Sequence, residues 1–219
     1  MKIAAFSDSH GLLPQIDPVD VVVIAGDISP LRIQRNDVMM SIWFQDEFLR
    51  WCKDLPCKRV IFTAGNHDFY FYNYAAMRAM IKESDLKDKV IFLADEKYEY
   101  DGKVFYGCPW CTGPLGWAFT DKKVELFYKF IPNCDILITH QPPKVDALGT
   151  SYPGQAWARD FGSKRLLEAI EERNIKYNFC GHIHTGTHNG IEYNGTKFYN
   201  VSLLDEEYKN VFPVTYLEI

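Results

Sequence analysis

The sequence has no stretch approaching the ~18 consecutive apolar residues of a membrane span. Its first residues, MKIAAFSDSHG, turn polar with no apolar leader segment. The expectation is a protein outside the membrane, in a reducing, cytoplasmic setting. Cysteine is scarce: six residues, at 52, 57, 108, 111, 134 and 180, are too few for a disulfide scaffold. An excess of positive charge is also missing, with 24 Lys and Arg against 29 Asp and Glu for a formal net charge of −5. That balance disfavours nonspecific contact with nucleic acid or an anionic membrane. No repeat, linker or low-complexity tract interrupts the chain. Its 219 residues, 47% hydrophobic and 15% aromatic, suffice to bury a full core as one domain over 1–219.

Three apolar runs, Lys2 to Phe6, Asp20 to Ala25 and Arg59 to Ala64, each stop at polar residues: Ser7-Asp8-Ser9-His10, Gly26-Asp27 and Gly65-Asn66-His67-Asp68. Continuous apolar runs suit strands buried on both faces, whose carboxyl-end loops are where α/β proteins bind ligands. Asn36 to Asp54 carries Met39, Ile42, Trp43, Phe44, Phe48, Leu49, Trp51 and Cys52 at spacings that predict a crossover helix. Further helices are expected over Tyr74 to Lys82, Asp121 to Phe130 and Gly162 to Arg173. Strands are expected over Val90 to Leu93, Asp135 to Thr139 and Tyr177 to Cys180, and a terminal one over Val211 to Leu217. Asp101-Gly102 and Asn194-Gly195 mark hairpins. Pro109 to Phe119 and Val145 to Asp160 read as aromatic-rich loops. Parallel character early and hairpins late predict an α/β fold of two mixed sheets between helices, a four-layer α/β/β/α sandwich.

Histidine is concentrated where the chemistry should be. Of His10, His67, His140, His182, His184 and His188, all but the last sit at predicted strand ends, near Asp8, Asp27, Asn66 and Asp68. Carboxylate, imidazole and one amide oxygen suit divalent Mn, Fe, Zn or Co. Cys108-Pro-Trp-Cys111 has a redox or zinc half-motif spacing without a second CxxC, so these cysteines read as structural. His188 lies outside the blocks and is expected in an exposed turn.

Asp8-Ser9-His10, Gly26-Asp27, Gly65-Asn66-His67-Asp68, Thr139-His140 and Gly181-His182-Ile183-His184 together resemble the ordered motif set of calcineurin-like metallophosphoesterases. His140-Gln-Pro-Pro143 and Asn200-Val-Ser-Leu-Leu204 further resemble the small brain-type metallophosphoesterase-domain proteins. The resemblance implies one metal at Asp8, His10, Asp27 and His184 and a second at Asp27, Asn66, His140 and His182, with Asp27 shared. It implies phosphoester hydrolysis by a hydroxide held between two cations, manganese being the first expectation. His67 would contact a phosphoryl oxygen and assist the leaving oxygen, with Asp68 orienting its imidazole.

A small phosphodiester or cyclic nucleotide is the first substrate expectation. Asn66, His67, Trp117, Trp157 and Arg159 are its candidate contacts, because aromatic faces stack on bases. A phosphomonoesterase or phosphoprotein phosphatase, and a non-catalytic metal-stabilised scaffold, are the alternatives. Tyr70, Phe71, Tyr72 and Tyr74 read as packing for the helix that follows them. The sequence names no protein partner.

Overall fold

Valine and isoleucine are stiff at χ1 and fit a pleated surface. The runs rich in them fold as β1 (Lys2–Phe6) and β2 (Val21–Ala25) in a computed structural model that describes residues 1–219. Asn36 caps the crossover helix, its side chain accepting from Met39 N at 3.0 Å. Helix α1 (Asp37–Trp43) passes through a wide π turn (Phe44–Phe48) into α2 (Leu49–Asp54). The spacing predicts the extent of this helix but not the π turn. Its extra residue slows the rotation of the helix and returns Leu49 and Cys52 to the buried face of Met40 and Trp43.

The chain continues through β3 (Arg59–Thr63), α3 (Tyr74–Glu83), β4 (Val90–Phe92), β5 (Glu96–Tyr100) and β6 (Lys103–Cys108). Next come α4 (Val124–Phe127), β7 (Ile136–Thr139) and a two-residue ribbon, β8 (Thr150–Ser151) with β9 (Arg159–Asp160). Helix α5 (Lys164–Glu172), β10 (Tyr177–Cys180), β11 (Ile191–Tyr193), β12 (Thr196–Asn200) and β13 (Thr215–Glu218) complete it. Two expectations were too long. The helix at Asp121 is only α4 and a following 3₁₀ turn (Tyr128–Phe130). The terminal strand starts after Pro213, which lacks the N–H a ladder needs.

The first sheet has the order β13-β1-β2-β3-β4, with β1 to β4 parallel and β13 antiparallel. The second has the order β11-β12-β10-β7-β6-β5, parallel in its centre and antiparallel at both edges. Side chains alternate along each strand. Ile3, Ala5, Val21 and Val23 face Ile136, Ile138 and Phe179 between the sheets. Ala4, Phe6, Val22 and Ile24 face α1, α2 and α3, while Leu137 and Cys180 face α4 and α5. The result is the four-layer α/β/β/α arrangement with two mixed sheets. At one edge the sheets are joined: Ser7 N donates to Val201 O at 2.8 Å and Leu203 N to Ser7 O at 3.0 Å.

Candidate metal centre

Parallel strands that stop at one edge release their loops together, and that edge gathers the histidines and aspartates. Asp8 and His10 follow β1, Asp27 follows β2 and Asn66 follows β3. From the second sheet, His140 follows β7, and His182 and His184 follow β10. Donor atoms of Asp8, His10 and His184 lie within 4.8 Å of one another, as do those of Asp8, Asp27 and His140, and those of His10, Asp27 and His67. Asn66 Oδ1 joins them, 3.0 Å from His140 Nε2.

The backbone is bent to make this convergence. Asp8 (φ 50°), His10 (φ 43°), Asp27 (φ 53°) and His182 (φ 70°) all sit in the left-handed region that non-glycine residues avoid. Such strain persists where surrounding contacts over-determine it, and it concentrates at functional sites. Two glycines leave the room required. A Cβ at Gly65 would overlap Asp27 Oδ1 and the His140 ring, and one at Gly181 would overlap Ser7 Oγ and Asp8 Oδ2.

Buried hydrogen bonds hold these side chains in place. Ser7 Oγ and Ser202 Oγ each donate to Asp8 Oδ2 at 2.6 Å, and His182 N donates to both carboxylate oxygens at 3.1 Å. His140 Nδ1 bonds Ala25 O at 2.9 Å and His184 Nδ1 bonds Asp205 O at 2.8 Å. A carbonyl only accepts, so each Nδ1 carries a proton and each Nε2 faces the cluster. In His182 the roles are reversed, with Nε2 bonding Thr112 O at 3.1 Å.

His140 Nε2 lies 3.2 Å from Asp27 Oδ2, and His184 Nε2 lies 3.3 Å from Asp8 Oδ1. Burial opposes the charge on both carboxylates, but His184 holds Asp8, and His140 holds Asp27, well below the usual carboxylate range. Burial likewise disfavours charged His140 and His184, yet Asp27 and Asp8 raise them to about 9. Burial wins at His10 and His182, which drop to about 4. Both ring nitrogens of His10 are buried without a hydrogen-bond partner. An orphaned imidazole beside two buried carboxylates is the chemistry of a cation site, where neutral nitrogen and anionic oxygen are the ligands. The residues therefore fit divalent metal.

Asp68 departs from expectation. Instead of orienting His67, it turns inward and accepts from Asp27 N (2.7 Å), Ile28 N (3.1 Å), Ser29 N (3.0 Å), Ser29 Oγ (2.6 Å) and Gly65 N (2.8 Å). It braces the β2 and β3 loops together. Burial and the nearby Asp27 push its carboxyl up to about 7. The orienting contact to His67 comes from Gln34, whose Oε1 lies 2.9 Å from Nδ1. Trp117 lies against His67 with its ring tilted, the centroids 4.6 Å apart. Trp157 is 65% exposed, and Arg159 stands exposed on the two-residue ribbon. His188 is not exposed in a turn: it is half-buried, stacks on Phe212 at 3.6 Å and bonds His184 O. Tyr70, Phe71 and Tyr74 pack on the core between α1 and β4.

Sequence reasoning missed Ser202, Gln34 and Gln141. Gln141 Oε1 accepts from Thr112 N at 2.7 Å, and its Nε2 donates to Phe161 O at 2.7 Å, tying the first aromatic loop to the residue just after the second. The only signal for Ser202 was its place in the Asn200 to Leu204 segment.

Comparison with known proteins agrees with this geometry. The family described as calcineurin-like phosphoesterase matches residues 1–186. UPF0046 protein K07C11.7 of Caenorhabditis elegans is 29% identical, over 92% of this chain and 69% of its own length. UPF0046 protein T07D4.2 of the same organism is 26% identical, over 89% of this chain and 53% of its own length. This chain thus spans about half of the latter. Among solved structures, TT1561 of Thermus thermophilus has a TM-score of 0.58 at 13% identity, covering 91% of this chain and 88% of that one. Phosphopantetheinyl hydrolase of Mycobacterium tuberculosis has a TM-score of 0.55 at 16% identity, covering 94% and 90%. At such identities the likeness is one of fold.

Proposed function

The chain belongs to the calcineurin-like phosphoesterase family, and on that premise we propose that it is a metal-dependent phosphoester hydrolase acting on a small phosphodiester such as a cyclic nucleotide. The observation that carries the reading is the convergence of Asp8, His10, Asp27, Asn66, His140, His182 and His184 from both sheets, with an unpartnered His10 among them. In this reading Asp8, His10, Asp27 and His184 hold one ion and Asp27, Asn66, His140 and His182 the other. Manganese is the first expectation, and iron, zinc and cobalt share its ligand preferences. Two such ions supply a water of lowered pKa and positive charge that offsets the charge gained by the phosphoryl oxygens.

The chain's own residues do the rest. Asp27 presents two oxygens between the two ligand groups and takes an N–H from His67 at 2.8 Å. Asn66 contributes oxygen without charge, which keeps the site receptive to an anion. His67 has its Nδ1 committed to Gln34 and its Nε2 4.0 Å from Asp27 Oδ2. From there it steadies a phosphoryl oxygen and passes a proton to the leaving oxygen. Trp117 flanks His67. A cavity of about 470 Å³ opens beside His10, lined by Pro30, Arg32, Trp43, Glu47 and Tyr208 among others. That volume suits a small molecule. The Asn200 to Leu204 segment, whose Ser202 braces Asp8, supports placement near the brain-type members.

The test is metal-free protein reconstituted separately with Mn, Zn, Fe and Co, its metal content measured, and assayed on aryl and nucleotide mono- and diesters. Diester turnover is expected, and His67→Ala should lose about 10²–10⁴-fold while keeping its metal. Monoester turnover alone would move the assignment to a phosphatase. No turnover by fully loaded protein would leave a metal-stabilised scaffold.

A further inference from the structure

We propose that Cys111 supplies a thiolate ligand to the second ion, making that site a mixed sulfur, nitrogen and oxygen centre. This rests on the dinuclear reading above and adds a residue that reading does not use. Cys111 follows β6 and is fully buried. Its Sγ lies within 4.8 Å of ring nitrogens of both His140 and His182, and 3.8 Å from Asn66 Oδ1. These are three of the four residues assigned to the second ion, so the sulfur enters a formed ligand cluster.

A second observation points the same way. Cys52, Cys57, Cys108, Cys134 and Cys180 all pack in or against the apolar clusters of the core. Cys111 belongs to none of those clusters and faces polar donors instead. A cysteine kept only for packing would be expected among apolar neighbours, as the other five are.

The backbone aims it there. Cys111 N donates to Phe119 O at 3.1 Å, and Cys111 pairs with Thr120 across the loop. In the same loop Ala118 N donates to Asn66 O at 3.1 Å. Thr112, the next residue, accepts from His182 Nε2 and thereby turns His182 Nδ1 toward the cluster. One loop therefore positions Cys111, Asn66 and His182 together.

Charge gives the thiolate a purpose. Asp8 belongs to the first ion alone, whereas the second has only its share of Asp27 beside neutral Asn66, His140 and His182. A thiolate there restores the balance, the thiol proton leaving to solvent as the sulfur–metal bond forms. It also softens the donor set, moving the second site's preference from manganese toward zinc, cobalt or iron.

The test loads wild type, Cys111→Ser and Cys108→Ser with cobalt(II), counts bound ions and records the near-ultraviolet spectrum. A sulfur-to-cobalt charge-transfer band is expected in wild type and Cys108→Ser and not in Cys111→Ser. The second equivalent should bind Cys111→Ser at least ~10-fold more weakly. X-ray absorption of zinc-loaded wild type needs no variant and should require sulfur at about 2.3 Å. Two bound ions with no sulfur signal, or a band that survives in Cys111→Ser, would overturn the role of Cys111 alone. Fewer than two ions in wild type would overturn the dinuclear reading, and this inference with it.

Discussion

Asp8, on the buried floor of the histidine and aspartate cluster, and Trp157, in the exposed loop between β7 and α5, stand under opposite regimes. Asp8 is fully buried, strained in its backbone and held by two hydroxyls and a backbone N–H. Trp157 is 65% exposed in a segment whose regular structure is a two-residue ribbon. On the floor, position is set before any ligand arrives, by contacts that leave each side chain one orientation. Around Trp157 little is fixed by neighbouring contacts, as is usual for an exposed loop.

The contrast can be broken most forcefully at the floor. Asp27→Asn should lower turnover by more than the ~10–100-fold typical of residues one shell out from a metal, read as kcat/KM alongside metal content. A milder loss would mean that Asp27 is not the shared ligand. Asp68→Ala strips the acceptor from five buried donors. It should destabilise the protein by about 3 kcal/mol or more, seen in urea unfolding of the metal-free protein. Normal stability with reduced kcat would instead restore Asp68 as a partner of His67.

The next effect is one of pH. Metal-free protein should be most stable near pH 6.5. From there to pH 9, His140 and His184 retain protons that histidines of the unfolded chain have lost, so stability falls as pH rises. From pH 6.5 down to 4, His10 and His182 refuse protons that the unfolded chain binds, so stability falls as pH drops, with the raised Asp68 offsetting part of it. Denaturant midpoints across that range would trace the dome. A flat profile would show that the floor is not the tightly paired charge cluster described above. The smallest effects belong to the exposed loop, where Trp157→Ala and Arg159→Ala should each change stability by no more than about 0.5 kcal/mol. Any functional change there should appear in KM before kcat.

The same division governs what could be read from the sequence. Asp8, Asp27, Asn66, His140 and His182 were legible because each ends an apolar run, and parallel strands bring such ends to one edge. Ser202 was not, since its partner Asp8 is 194 positions away and no local pattern couples them. Asp68 was misread because adjacency to His67 suggested contact, whereas consecutive side chains in this turn point apart. The CxxC spacing drew attention to Cys108 and Cys111 as a pair, although the fold sends one into the apolar core and the other toward the histidines. The π turn was hidden because its apolar spacing satisfies an ordinary helix nearly as well.

Each proposed ion draws ligands from both sheets: Asp8, His10, Asp27 and Asn66 from one, His140, His182 and His184 from the other. Cations seated there would act as rivets through the two layers. Sliding one sheet past its neighbour would then require breaking coordination bonds, so resistance to shear, and with it the melting temperature, should climb with metal concentration.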